Sequence, residues 1–200
     1  WRASHSNDRS ANPTSAALTI PSRCRYISAA MNPGPLARYR MVDLSRQLPG
    51  PFCSTLLADL GMDVLTVTAP VDPFGAGIPF LQRNKRSMTL DLRRPEAVEI
   101  VKRLVVGADV VWENFRPGVM DRLGLGYEAL SAINPRLIYC GVSGFGQTGP
   151  ERTTAAFDGK LQAMSGIMSI TGEPSRGPTR AGFAICDTIG GMTAALAVAS

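Results

Sequence analysis

Short apolar runs alternate with amphipathic stretches along the chain from residue 41 onwards. The apolar runs predict strands at 41–45, 63–68, 88–92, 108–112 and 136–142. The stretches between them predict helices at 52–60, 95–106, 118–123, 127–133, 158–170 and from about 186 onwards. Because each strand is followed by a helix that returns the chain to the same end of the sheet, we expect the strands to be parallel. The predicted fold class is therefore α/β, with an open, mostly parallel sheet and flanking helices.

The positive charge of the chain is concentrated in its first forty residues. Residues 1–40 contain six Arg, no Lys and one acidic residue, whereas residues 41–200 contain 15 basic and 15 acidic residues. The folded part has no excess of cations to neutralise phosphates along a duplex, so we expect no nucleic-acid partner. We expect residues 1–40 to be a disordered basic tail or a mis-assigned N-terminal extension.

The histidine and cysteine content limits the chemistry that residues 41–200 can perform. The single His, His5, lies in the tail, which removes Ser-His-Asp and Cys-His catalysis and His-based metal sites from the rest. The four Cys form no CxxC pair, which is typical of reduced thiols in a cytoplasmic protein. No apolar run approaches the roughly 20 residues that span a bilayer, so we expect no membrane association.

Several cations lie in loops that follow predicted strands. In an open parallel sheet ligands bind at the carboxyl ends of the strands, so we expect these loops to share one edge. Arg and Lys side chains in such a cluster suit a phosphorylated, nucleotide-like ligand, although solvated loop charges are the alternative. Neither a Walker A motif nor GxGxxG follows the first strand. The cations expected at this edge are Arg46, Arg83, Lys85, Arg86, Arg116 and the nearby Arg122.

Asp158 stands at the start of a predicted helix that is rich in small residues. Asp is a favoured N-cap residue, so one interpretation is that Asp158 only caps this helix. The other is that its carboxylate is directed into a site. A carboxylate is ionised at neutral pH and needs no His to activate it, which suits a folded part without His.

Five motifs in fixed order resemble the N-terminal half of the class III CoA-transferases, a family that has alpha-methylacyl-CoA racemase as a relative. The motifs lie at 43–51, 83–87, 113–118, 144–150 and 157–166. The resemblance implies a Rossmann-like large domain, so that 41–200 is its N-terminal part. It also implies a C-terminal part beyond Ser200, where the chain stops within an apolar helical pattern.

The resemblance further implies an activity. The family moves CoA between an acyl-CoA and a free carboxylic acid, its two substrates, and is an interlocked homodimer. Asp158 matches the family's catalytic aspartate, which attacks the thioester to form an aspartyl-acyl anhydride and then an aspartyl-CoA thioester. Positions that match CoA-contacting residues of the family are Arg46, Leu48, Pro49, Asn84, Lys85, Asn114, Phe115 and Arg122.

The sequence departs from the family at three places. Pro49 replaces the usual Ala and lacks an N–H, and Thr66-Val67-Thr68 replaces a usual Lys-Val-Glu. These changes keep open the alternative of a catalytically incompetent CoA-binding fragment. Racemases of the family commonly have His directly before the aspartate, where this chain has Phe157. Acyl transfer is therefore favoured, and racemisation or epimerisation is the alternative.

Overall fold

The computed structural model describes residues 34–71 and 78–200. Most of the predicted basic tail, and with it His5, lies outside the described residues. The described part of that tail packs on the folded core. The backbone N–H of Leu36 donates to the carbonyl of Leu60, and the N–H of Asp63 donates to the carbonyl of Tyr39. The folded part therefore includes residues 34–40, which the sequence pattern assigned to the tail.

Five strands form one parallel sheet, which confirms the predicted α/β class. The strands are β1 (Arg40–Asp43), β2 (Asp63–Thr68), β3 (Lys85–Thr89), β4 (Val110–Glu113) and β5 (Ile138–Gly141). Their spatial order is β3-β2-β1-β4-β5, the Rossmann-like order in which a crossover reverses direction beside β1. In register, Met41 of β1 pairs with Val64 of β2 and with Val110 of β4.

Helices cover both faces of the sheet because residues of the central strands alternate between two apolar cores. The helices are α1 (Pro49–Asp59), α2 (Pro95–Val105), α3 (Val119–Arg122), α4 (Tyr127–Ile133), α5 (Asp158–Met164) and α6 (Ile185–Ala199). Met41 and Trp112 point to the core under α1 and α6, whereas Val42 and Val111 point to the core under α2, α3 and α4. None of these described helices has the length and apolar character to cross a membrane.

The predicted strand at 88–92 was wrong in its bounds. The third strand is Lys85–Thr89, and Val64 of β2 lies opposite Lys85. β3 is an edge strand whose side chains are mostly exposed or half-buried, so it lacks the apolar run by which the other strands were predicted. Arg83 and Asn84 directly precede this strand, so they lie at its amino end and not after the carboxyl end of a strand.

The predicted helix at 158–170 is shorter in the structure. It ends at Met164, and Gly166 adopts a φ of 83°, a left-handed conformation that stops the helix. A 3-10 turn, Ile167–Ile170, continues from there. The irregular segment that follows includes a second 3-10 turn, Pro174–Arg176, and leads to α6. Hydrogen bonds to Gln162 hold Ala181 and Phe183 of this segment beside α5.

Candidate functional site

An open cavity of about 660 Å³ lies at the carboxyl ends of β1, β4 and β5. Loops after all three strands contribute to its wall, together with the first turns of α5 and α6. This is the edge at which parallel α/β sheets bind ligands. The residues that line it include Gln47, Pro49, Asn114, Asp158, Arg180 and Asp187.

Asp158 is buried in the wall of this cavity, with 6% of its surface exposed. Its Oδ1 accepts hydrogen bonds from the backbone N–H groups of Cys186, at 2.9 Å, and Asp187, at 3.3 Å. Both N–H groups belong to the first turn of α6, which is 15 residues long. The negative charge is thus held at the positive end of a helix dipole. Asp158 caps α6 and not its own helix, whose N-cap Phe157 makes no side-chain capping bond.

The second oxygen of Asp158 is held by two side chains. Nε2 of Gln162 donates to Oδ2 at 2.6 Å, and Nη2 of Arg180 approaches it at 3.3 Å. Gln162 is completely buried, and it also donates to the carbonyl of Phe183 and accepts from the N–H of Ala181. Gln162 therefore fixes both the orientation of the carboxylate and the course of the chain that carries Arg180.

Asp187 adds a second carboxyl group to the same wall. Burial raises the pKa of Asp187, the nearby charge of Asp158 raises it further, and Arg180 acts in the opposite direction. Two neighbouring carboxylates repel each other, and the charge of Arg180 offsets part of that repulsion.

A second group of predicted residues meets where the loops after β1 and β4 touch. The side-chain oxygen of Asn114 accepts from the N–H of Arg46, and its amide donates to the carbonyl of Arg46, both at 2.8 Å. The guanidinium of Arg46 lies 5.2 Å from the centre of the Phe115 ring, within the range of a cation–π contact. Pro49 and Asn114 line the Asp158 cavity, so this cluster adjoins it. Leu48 is half-buried at the N-cap of α1.

Of the remaining cations, Lys85 and Arg86 line a second cavity together with Arg46, whereas Arg83, Arg116 and Arg122 do not line it. Arg83 and Asn84 both donate to the carboxylate of Asp59, at the end of α1, and Arg86 also pairs with Asp63, at the start of β2. The ion pair with Asp59 thus occupies the guanidinium of Arg83. Arg116 is exposed, and the guanidinium of Arg122, on α3, lies beside Gly118 of the loop after β4.

Lys85 lines the second cavity with Arg46, but its ammonium makes its hydrogen bonds inside the fold. Its ammonium is buried under α1, where it donates to the carbonyl of Pro51 at 2.9 Å and to Oγ of Ser54 at 2.7 Å. The carboxylate of Asp43 lies 3.7 Å away. Burial lowers the pKa of Lys85, and the charge of Asp43 opposes that change. Lys85 therefore neutralises a buried carboxylate inside the fold.

The CoA-transferase family III profile matches residues 36–200. The chain belongs to this family. The resemblance drawn from its five motifs is thereby confirmed, and the match begins within the segment that the structure adds to the fold.

Named relatives in the family include both transferases and a racemase. The chain is 48% identical over 183 residues to the succinyl-CoA–D-citramalate CoA-transferase of Chloroflexus aurantiacus, covering 85% of this chain and 46% of the relative. It is 44% identical over 140 residues to the alpha-methylacyl-CoA racemase of Mus musculus, covering 70% of this chain and 36% of the relative. The chain thus spans about half the length of such relatives or less.

A solved structure of the family has the same fold. A CAIB/BAIF family protein from Brucella suis superposes with a TM-score of 0.78 at 42% identity, over 84% of this chain and 49% of that one. The Rossmann-like arrangement of this family member is therefore shared with an experimentally determined structure.

Sequence reasoning missed four residues of this candidate site. Arg180 and Asp187 follow no predicted strand, and their approach to Asp158 depends on the fold of residues 165–184. Gln47 adopts a φ of 63°, unusual for a residue with a side chain, and it lines the cavity. The only available signal was for Gln162, which stands one helical turn after Asp158 in the quoted motif.

Proposed function

We propose that this chain carries the nucleophile and part of the CoA site of an enzyme that moves CoA between an acyl-CoA and a free carboxylic acid. The observation that carries the proposal is the position of Asp158. Its carboxylate is fixed by a helix N-terminus on one oxygen and by Gln162 and Arg180 on the other, and the residue lines a cavity at the ligand-binding edge of the sheet. Family membership supports the class of reaction.

The first half of the reaction transfers CoA to the enzyme. Oδ2 of Asp158 attacks the thioester carbonyl carbon, the C–S bond breaks, and CoA leaves as the thiolate with a mixed anhydride on Asp158. The thiolate then attacks the carboxyl carbon of Asp158. The donor acid leaves as its carboxylate, and Asp158 remains as a CoA thioester.

The second half repeats these steps in reverse with the acceptor acid. The acceptor carboxylate attacks the thioester carbon at Asp158, the thiolate leaves, and a new anhydride forms. Attack of the thiolate on the acceptor's acyl carbon gives the new acyl-CoA and restores the carboxylate. No proton is consumed, which fits the absence of His from residues 41–200.

Orientation is the main contribution that this site offers. A carboxylate is a weak nucleophile, and correct placement of reacting groups contributes roughly 7–11 kcal/mol in favourable cases. The N–H groups of Cys186 and Asp187 hold Oδ1, so that Oδ2 is the oxygen presented to the ligand.

The CoA site in this proposal is the cluster beside the cavity. Arg46 supplies a cation, Phe115 an aromatic face, and Leu48, Pro49 and Asn114 the wall between that cluster and Asp158. The Arg122 guanidinium lies beside the same loop. Asn84 and Lys85 instead have partners within the fold, so we assign them a structural role.

The acid and the assembly follow from the same proposal. The names of the Chloroflexus aurantiacus CoA-transferase and of the Homo sapiens succinyl-CoA:glutarate CoA-transferase contain dicarboxylates, so we propose an acid of that class. Exposed apolar side chains on α5, α6 and the segment between them support a homodimer, which sedimentation velocity would detect. Three described cysteines without a disulfide support a cytoplasmic location.

Trapping with hydroxylamine tests the nucleophile directly. The protein is incubated with succinyl-CoA and hydroxylamine, and peptide mass spectrometry then locates any hydroxamate. We expect it at residue 158 in the wild type and in a Glu173→Gln control, and no modification in Asp158→Asn. Wild-type protein that exchanges the α-proton of an acyl-CoA for deuterium without a hydroxamate would instead be a racemase.

A further inference from the structure

We propose that Arg180 is the residue that binds the carboxylate of the acid substrate, and that it releases Asp158 when it does so. This inference rests on the proposed function, because it names the group that recognises the acceptor at the same site. The ligand class is a carboxylate held by both arms of the guanidinium.

The carboxylate of Asp158 is saturated with hydrogen-bond donors. A carboxylate has about four lone-pair sites, and four donors approach this one: two backbone N–H groups, Gln162 and Arg180. Attack on a thioester needs a free lone pair on the attacking oxygen. At least one donor must therefore withdraw before Asp158 reacts.

Of these donors, Arg180 is the one that withdraws. Gln162 is buried and has two further hydrogen bonds that hold it in place, and the N–H groups are fixed by α6. Arg180 differs from both, because 58% of its side chain is exposed and its contact with Oδ2 is long, at 3.3 Å. An ion pair in which one partner is exposed contributes little, so it is the contact that a ligand can replace.

A carboxylate of the acid substrate would replace Asp158 as the partner of Arg180. Arg180 lines the cavity and has five N–H donors, of which Nη2 alone contacts Asp158 within the described residues. The planar guanidinium matches a carboxylate with two parallel hydrogen bonds, a better geometry than its single long contact. An incoming acid bound in this way lies next to the carbon that it must attack, and Oδ2 regains a lone pair.

Equilibrium binding of glutarate, measured by calorimetry at pH 7, tests the inference without turnover. We expect Arg180→Gln to weaken binding at least tenfold and Arg180→Lys to weaken it less, because Lys keeps the charge but not the paired geometry. Asp158→Asn should tighten binding several-fold, because it removes the competing carboxylate. Arg176→Gln is the matched control, an exposed Arg outside the cavity, and should bind as the wild type does.

The outcomes separate this inference from the proposed function. Equal affinity in wild type and Arg180→Gln, a loss as large in Arg176→Gln, or no measurable binding to wild type would each overturn the role of Arg180. Thermal melting of each variant shows whether it is folded, and Arg180→Lys remains decisive if Arg180→Gln is not. Hydroxylamine trapping needs no free acid, so its failure would overturn the nucleophile while leaving the glutarate result intact.

Discussion

Two buried aspartates near the carboxyl edge of the sheet have opposite surroundings. Asp43, at the end of β1, is completely buried, and its described partners are the buried side chains of Ser45, Ser54, Thr66 and Lys85, three of which also line a second cavity. Asp158 is almost as buried, but it lines a cavity itself and one of its partners is an exposed Arg. Burial alone therefore does not distinguish the carboxylate of Asp43 from the proposed nucleophile. The difference is whether a ligand can replace one of the partners.

The closed network around Asp43 has the hallmarks of a structural unit. Ser54, from α1, donates to Asp43 and accepts from Lys85 of β3, so one hydroxyl joins a helix to two strands. A buried charge is tolerated when it is paired and its hydrogen bonds are made. In this network every described group has a partner of opposite charge or a hydroxyl.

The largest predicted effect breaks this pairing. Asp43→Asn leaves the Lys85 ammonium buried without its counter-charge, and we expect the free energy of unfolding to fall by about 3–5 kcal/mol. Asp158→Asn should cost less, about 2 kcal/mol, because Asn still accepts from the α6 N–H groups and loses the charge at the helix terminus and the acceptor for Gln162. Urea unfolding at pH 7 measures both. Equal losses in the two variants would show that Asp158 is as structural as Asp43.

Glu113, the last residue of β4, offers an intermediate case. It is buried, its Oε2 accepts from the N–H of Phe115 at 2.7 Å, and the hydroxyl of Tyr139 lies 3.4 Å from Oε1. Burial raises the pKa of Glu113 from 4.5 to about 7, although both hydrogen bonds lower it, and the charge of Asp121 raises it further. Among the residues that the structure describes, Glu113 thus has neither an ion-pair partner like that of Asp43 nor a helix terminus like that of Asp158.

The second prediction is a pH dependence of stability. Because the pKa of Glu113 is higher in the folded protein, the folded state binds the proton more tightly than the unfolded chain. Stability should therefore fall as pH rises from 4.5 to 7, by up to about 3 kcal/mol from this residue. Glu113→Gln should flatten this part of the profile of unfolding free energy against pH. A wild-type profile that rises through this window with an identical slope in the variant would contradict the prediction.

The sequence was sufficient for the architecture and for proposing a nucleophile, and insufficient for the residues that contact it. The central strands, such as Val110–Glu113, are buried on both faces and leave a continuous apolar run, whereas the edge strand Lys85–Thr89 does not. Asp158 was identified by its motif and by the lack of His. Arg180 could not be placed, because its approach to Asp158 depends on a turn at Gly166 and on an irregular segment whose course is set by tertiary contacts.

A third prediction concerns the contact that holds α6 in place. A Cβ added at Gly191 would lie 2.7 Å from the carbonyl oxygen of Pro49 and 3.4 Å from the N of Cys53, so α1 and α6 approach closely there. Gly191→Ala should lower the free energy of unfolding by about 1–3 kcal/mol through overpacking. Gly190→Ala is the matched control, since a Cβ there meets nothing within 4 Å, and it should raise stability by about 0.5–1 kcal/mol.

This third variant also connects the two aspartates. α1 carries Ser54, a partner of Asp43, and α6 carries the N–H groups that hold Asp158. If α6 shifts in Gly191→Ala, hydroxylamine trapping at Asp158 should decline while the Asp43 network stays closed. An unchanged melting temperature in Gly191→Ala would show that the helices adjust without cost and that this contact does not position the site.

The smallest predicted effect concerns two cations, Arg46 and Arg83. As with the two aspartates, one of them has contacts that a ligand can replace and the other is held by partners within the fold. Arg46 contacts only the face of Phe115 with its guanidinium among the described residues, so its N–H donors are available to a phosphate. Arg83 already has its guanidinium on Asp59 and on the carbonyl of Phe80. We therefore expect Arg46→Ala to weaken CoA binding about three- to tenfold, near 1 kcal/mol, in calorimetry, and Arg83→Ala to leave it unchanged. A larger loss in Arg83→Ala than in Arg46→Ala would mean that CoA displaces Asp59 from Arg83 and that its phosphates bind at the start of β3.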